Sequence, residues 1–257
     1  MELVQYAVKD RVGFVTLNRP EKRNALSFEL VSELMAVFTK AESDPAVKII
    51  VLGATGDAFC AGADLAHLQK LQHFSFEENL NDSRHLKDLF LKIYTLKKVV
   101  IAKVQGHALA GGCGLATVCD FVFAVPEAKF GYTEVRIGFV AAIVMVFLLR
   151  KLGEQKAKQL LLSGELVAGD KAIASGLVNF LAPKELLEST VFDFAQKLVQ
   201  NNSLQSMELT KQMIAEVQSL PLTEALDYAA TMNARARTTE DCKKGIQAFL
   251  EKRDNKW

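Results

Sequence analysis

One stretch constrains this chain more than any other: "VIAKVQGHALAGGCGLATVCDFVFA", residues 100–124. A β-branched run leads into Gly106, Gly111, Gly112 and Gly114, followed by an apolar run and a second β-branched, aromatic run. The pattern predicts a strand at 99–106, a glycine turn, a helix over 115–120 and a strand at 121–125. Glycine is disfavoured inside regular elements, so a cluster at a strand-to-helix junction frees backbone for a close approach.

The same alternation recurs along the first two-thirds of the chain. "VGFVTLN" (12–18) and "VKIIVLGA" (47–54) read as strands. Ser27 is placed to cap a helix whose Leu30, Leu34, Phe38 and Ala41 recur at helical spacing. The loop "TGDAFCAGADL" (55–65) leads into a short helix, and 76–97 reads as a longer one. Beyond the glycine turn, helices are expected at 133–151, 154–163 and 170–176, and a strand at 177–183. From 186 onward only helices are predicted: 186–201, 203–219, 221–233 and 238–252. The chain reads as α/β over residues 1–185 and all-α over 186–257.

Composition narrows the function. The 257 residues are 50% hydrophobic with a formal net charge of +1, enough for a full core and without the basic footprint of a nucleic-acid binder. The first residues lack a basic segment followed by an apolar one, so no signal peptide is expected. The most apolar window, "IGFVAAIVMVFLL" (137–149), is too short to span a bilayer. The four cysteines form no CxxC pair and lie among apolar neighbours, as reduced core thiols do. A soluble, cytoplasmic protein with no membrane or nucleic-acid partner is expected. No histidine spacing suggests a metal, and surface or turn roles are expected for His67, His73, His85 and His107.

Three chemistries compete for the glycine turn. A dinucleotide fingerprint requires a third glycine where Thr117 stands, and a P-loop requires a Lys-Ser/Thr pair that is absent. An oxyanion hole requires only free N–H groups at a helix start. "FCAGADL" is a second loop of the same kind, so two loops could each aim one N–H at a shared oxygen. Alternatively both are plain tight turns. Glu134 precedes a strongly apolar stretch, where burial raises a carboxyl pKa toward neutrality; it equally suits a helix N-terminus.

Five ordered blocks carry a resemblance: "LNRPEKRNALS", "AFCAGADL", "VQGHALAGGCGLATVCDFVFA", "KFGYTEVRIG" and "GIQAFLEKR". Together they resemble the crotonase superfamily, the enoyl-CoA hydratase/isomerase family, across nearly the whole chain. The resemblance implies a spiral of ββα units with a C-terminal all-α trimerisation region, often doubled to a hexamer. It implies an acyl-CoA thioester substrate and no cofactor besides the coenzyme A carried by that substrate. The N–H groups of Ala63 and Gly111 are the implied oxyanion donors, and Glu134 the implied acid–base group. Implied substrate contacts are Lys22, Ala61, Asp64, Leu65, Gly112, Gly114, Ala142, Phe249 and Lys252, the last two often reaching a neighbouring subunit.

Two departures bear on the reaction. Hydratases of the family commonly carry a second glutamate where Gly114 stands, and the family's "IPGAGGT" is here "VAAIVMV" (140–146). Hydration of a 2-enoyl-CoA is the leading expectation. Isomerisation of a 3-enoyl-CoA by one glutamate follows, then decarboxylation of a carrier-protein thioester, then a non-catalytic RNA- or protein-binding role. Gly114 with "TEVRIGF" is also similar to a branch acting on 3-methylglutaconyl-type CoA esters.

Overall fold

The computed structural model describes residues 2–254 and 257. The chain starts with a hairpin, β1 (Val4–Lys9) and β2 (Val12–Leu17), followed by α1 (Phe28–Ser43). Ser27 caps α1 by accepting the N–H of Leu30 at 3.3 Å, and Leu30, Leu34, Phe38 and Ala41 face the core.

Three ββα turns follow. The first is β3 (Ile49–Ala54), β4 (Ala58–Cys60) and the helices α2 (Leu65–Leu71) and α3 (Phe76–Thr95). The second is β5 (Val99–Val104), β6 (His107–Leu109) and α4 (Gly111–Thr117). The third is β7 (Phe121–Ala124), β8 (Lys129–Gly131), a 3-10 turn (Glu134–Ile137) and α5 (Ala142–Leu152). Each turn gives one strand to each of two sheets. After α6 (Glu154–Ser163), β9 (Val167–Ala168), α7 (Gly169–Ser175) and β10 (Phe180–Leu181) complete them. The larger sheet has the order β1-β2-β3-β5-β7-β10 and the smaller β4-β6-β8-β9.

In the larger sheet β3 pairs in parallel with β2 and β5, from Ile49↔Val12 and Ile49↔Val99 onward. Its residues are buried along both faces, which is why "IIVLGA" is continuously apolar rather than alternating. The chain then turns to helices: α8 (Leu187–Asn201), α9 (Leu204–Val217), α10 (Leu222–Thr238) and α11 (Glu240–Leu250). Of these, α8 packs on β3, β5 and β7 and buries Val191, Ala195 and Val199 in the same core. Among the described residues no helix is long and apolar enough to cross a membrane.

Three expectations fail instructively. The helix expected over 133–151 is broken: Gly138, at φ 72°, ends the 3-10 turn, and α5 starts only at Ala142. The helix expected from 115 starts at Gly111, because Gly112 and Gly114 are helical residues kept small by what packs on them. A Cβ on Gly112 would stand 2.2 Å from the Cys60 carbonyl oxygen. The expected strand 177–183 shrinks to Phe180–Leu181, because Leu177 and Val178 instead close the C-terminus of α7 by donating to the Ala172 carbonyl.

Candidate active site

The two loops singled out by their glycines meet. Leu26 N–H donates to the Gly62 carbonyl at 2.7 Å, and Asp64 N–H donates to the Leu26 carbonyl at 2.9 Å. This isolated parallel bridge uses the peptide groups on either side of Ala63 and turns the Ala63 N–H away from Leu26. Asp64 then caps α2, its Oδ1 accepting from Ala66 and His67, while Arg19 pairs with its other oxygen at 2.8 Å. Burial alone would raise the Asp64 carboxyl pKa, but the His67 N–H and Arg19 hold it below the usual aspartate range.

The second loop is fixed from the other side. Ala110 has φ +50°, a conformation that costs a non-glycine residue about 1–3 kcal/mol. It is held there by its N–H, which donates to the Gly131 carbonyl at 2.8 Å, and by its carbonyl, which accepts from Gly114. Gly111, the first residue of α4, therefore presents an N–H that the helix cannot use. Among the described residues, neither the Ala63 nor the Gly111 N–H meets a protein acceptor.

Both residues line one cavity of about 420 Å³, together with Ala61, Leu65, Ala142 and Glu134. Glu134 sits on the tight turn that Phe139 and Arg136 close through their N–H groups. Its Oε2 is buried and, among the described residues, has no hydrogen-bond partner. Burial raises its pKa above the usual glutamate value, against a smaller opposing pull from its own backbone N–H. A partly desolvated carboxyl group thus faces the same space as two free amide donors, as proton transfer beside a polarised carbonyl requires.

Other expected residues lie elsewhere. Lys22, Asp64, Gly112, Gly114, Phe249 and Lys252 do not line this cavity in the single chain. Gly112 and Gly114 are buried within α4, and Phe249 is 83% exposed. Two of the histidines, His67 and His85, line the cavity. His67 Nε2 bonds Asp82 Oδ1 at 2.7 Å, tying α2 to α3, and His85 stacks on Phe28 with ring centroids 4.1 Å apart. Sequence spacing carries no signal for these pairs, because they join separate helices. Cys60, Cys113 and Cys119 are buried thiols, each pushed up to about 12 by burial.

A second cavity, of about 550 Å³, lies between α8, α9 and β5. Its charged groups are committed to the fold: Lys211 Nζ donates to Asp120 Oδ2 at 2.7 Å and to the carbonyls of Ile93 and Lys98.

The pattern of the Enoyl-CoA hydratase/isomerase family matches residues 7–257. The chain belongs to that family. A provisionally named enoyl-CoA hydratase of Thermus thermophilus is 45% identical to this family member over 95% of this chain and 96% of its own. A crotonyl-CoA hydratase of Syntrophomonas wolfei is 34% identical over 95% and 94%. An enoyl-CoA hydratase structure from Mycobacterium smegmatis superposes with a TM-score of 0.93 at 31% identity, covering 99% of this chain and 98% of that one. The two-sheet spiral of ββα units is thus the crotonase fold.

Proposed function

We infer that the chain is an enoyl-CoA hydratase-type lyase acting on a 2-enoyl-CoA thioester. The observation that carries this reading is Glu134, with its buried partnerless oxygen, in the same cavity as the unused N–H groups of Ala63 and Gly111. The relatives' hydratase names support water addition over isomerisation.

The thioester oxygen sits between the two N–H groups. Charge that develops there as the enolate forms is stabilised more than the ground-state carbonyl, which lowers the barrier. Glu134 gives a proton to C2. Water adds its oxygen to C3, and its released proton returns to the Glu134 carboxylate. One water is consumed, one C–O and one C–H bond form, and the glutamate is regenerated. The unused N–H of Ala142, at the start of α5, borders the same space and suits the water or the acyl group.

The coenzyme A moiety is placed against Ala61, Asp64 and Leu65, with Lys22 for its phosphates. Phe249 and Lys252 then serve from a neighbouring subunit of a trimer or hexamer. The exposed apolar side chains Leu222, Leu226, Ile246, Phe249 and Leu250 support that role for residues 186–257, with 1–185 as the catalytic part. A cytoplasmic location fits the reduced thiols.

The test is loss of enoyl-thioester absorbance with crotonyl-CoA, alongside 3-hexenoyl- and 3-methylglutaconyl-CoA with product identification by mass spectrometry. Hydration abolished by Glu134→Gln supports the reading. Conversion of 3-hexenoyl-CoA without any hydration makes the protein an isomerase instead.

A further inference from the structure

Gly114 and Val144 interlock. A Cβ on Gly114 would stand 2.1 Å from Val144 Cγ1 and 2.9 Å from Val144 Cβ, with Phe90 Cζ at 3.5 Å. Val144 lies in the first turn of α5, is buried, and lines the catalytic cavity. Gly114 lies three residues beyond Gly111 on α4, so the two share a helix face about 5–6 Å apart. A thioester whose oxygen meets the Gly111 N–H lies within a helical turn of the Gly114–Val144 contact, and Val144 brings that contact to the cavity wall. Among the described residues, the carboxyl groups lining the cavity are Glu134 and Asp82, and Asp82 is committed to His67.

We propose that Val144 fixes this centre as a one-carboxylate site and is a specificity-determining residue for it. Its isopropyl group takes the volume that any side chain at position 114 needs, and it sets hydrocarbon where a second acid–base group would have to stand. Glu134 is then the sole proton carrier for the acyl carbons, and the acyl chain meets hydrocarbon on the side of Val144. The proposal rests on the hydratase reading for its chemistry, but the interlock itself is a packing statement.

A double-mutant cycle tests it. Gly114→Glu, Val144→Gly and the double variant are compared with the parent by Tm and by the pH dependence of kcat/KM for crotonyl-CoA. Overpacking makes Gly114→Glu alone lower Tm by roughly 5–10 °C and hydration more than tenfold. With Val144→Gly already present, the same change lowers Tm little and adds a second carboxyl ionisation to the pH profile. Gly114→Glu alone being as stable and active as the parent overturns the proposal. So does a Tm loss that is the same in both backgrounds. A parent chain inactive on crotonyl-CoA counts against the hydratase reading, and the Tm arm still decides the interlock.

Discussion

A methyl group added to Gly62 would stand 2.8 Å from the Cβ of Ala110 and 3.0 Å from the Leu109 carbonyl oxygen. The residue before one proposed donor thus packs on the residue before the other, and Gly62 also holds φ +90°. Gly62→Ala pushes the two loops apart. It is expected to lower kcat/KM about 100-fold or more, since a misplacement near 1 Å is enough. Steady-state kinetics with crotonyl-CoA check this, and the loss should fall mainly on kcat.

Glu134 carries a pH signature in stability as well as in rate. Its folded pKa is raised by burial, so the group favours the folded state fully below the ordinary glutamate pKa. That advantage disappears as pH rises through the raised value. Glu134→Gln is therefore expected to raise Tm at neutral pH, with the gain shrinking in acid, while hydration falls about 100- to 10,000-fold. Thermal melts of both proteins across pH separate the two effects.

Asp64 has the opposite sign. Its folded pKa is depressed, so its contribution is present above the ordinary aspartate pKa and lost as pH falls through the lower folded value. Asp64→Ala removes the α2 cap and deprives Arg19 of its carboxylate partner, at roughly 2–4 kcal/mol in denaturant titrations at neutral pH. The deficit should narrow in strong acid, where the parent loses the same charge.

Lys211 tests the fold without touching the candidate site. Its ammonium is buried against Asp120 and two carbonyls, so Lys211→Met strands the Asp120 carboxylate. A loss of about 3–5 kcal/mol is expected in urea unfolding. Asp120 still accepts the Val100 N–H at 2.7 Å, which limits the damage to this corner.

The long elements were legible because their apolar patterns are strong. The continuous run of β3 and the Leu30–Leu34–Phe38 stripe of α1 each admit one reading. The short strands β4, β6 and β8 were not, since three residues carry no period, yet they build the second sheet and aim both loops. Gly114 looked like a turn residue because a sequence cannot show Val144 pressing on it from another helix. Ala63 and Gly111 became candidates through glycine clusters and family resemblance, whereas the His67–Asp82 tie spans two helices and left no local trace. Gly138 was a readable stop signal inside the supposed helix 133–151, outweighed by the hydrophobic run that follows it.

The central claim is that one thioester oxygen receives both the Ala63 and the Gly111 N–H. The most direct measurement is the vibrational spectrum of a carbonyl-labelled enoyl-CoA bound to the Glu134→Gln protein. Two aligned donors polarise the carbonyl, so its stretch should fall below the value in water, and Gly62→Ala should reverse much of the fall. A bound carbonyl frequency equal to that of the free thioester in water contradicts the account.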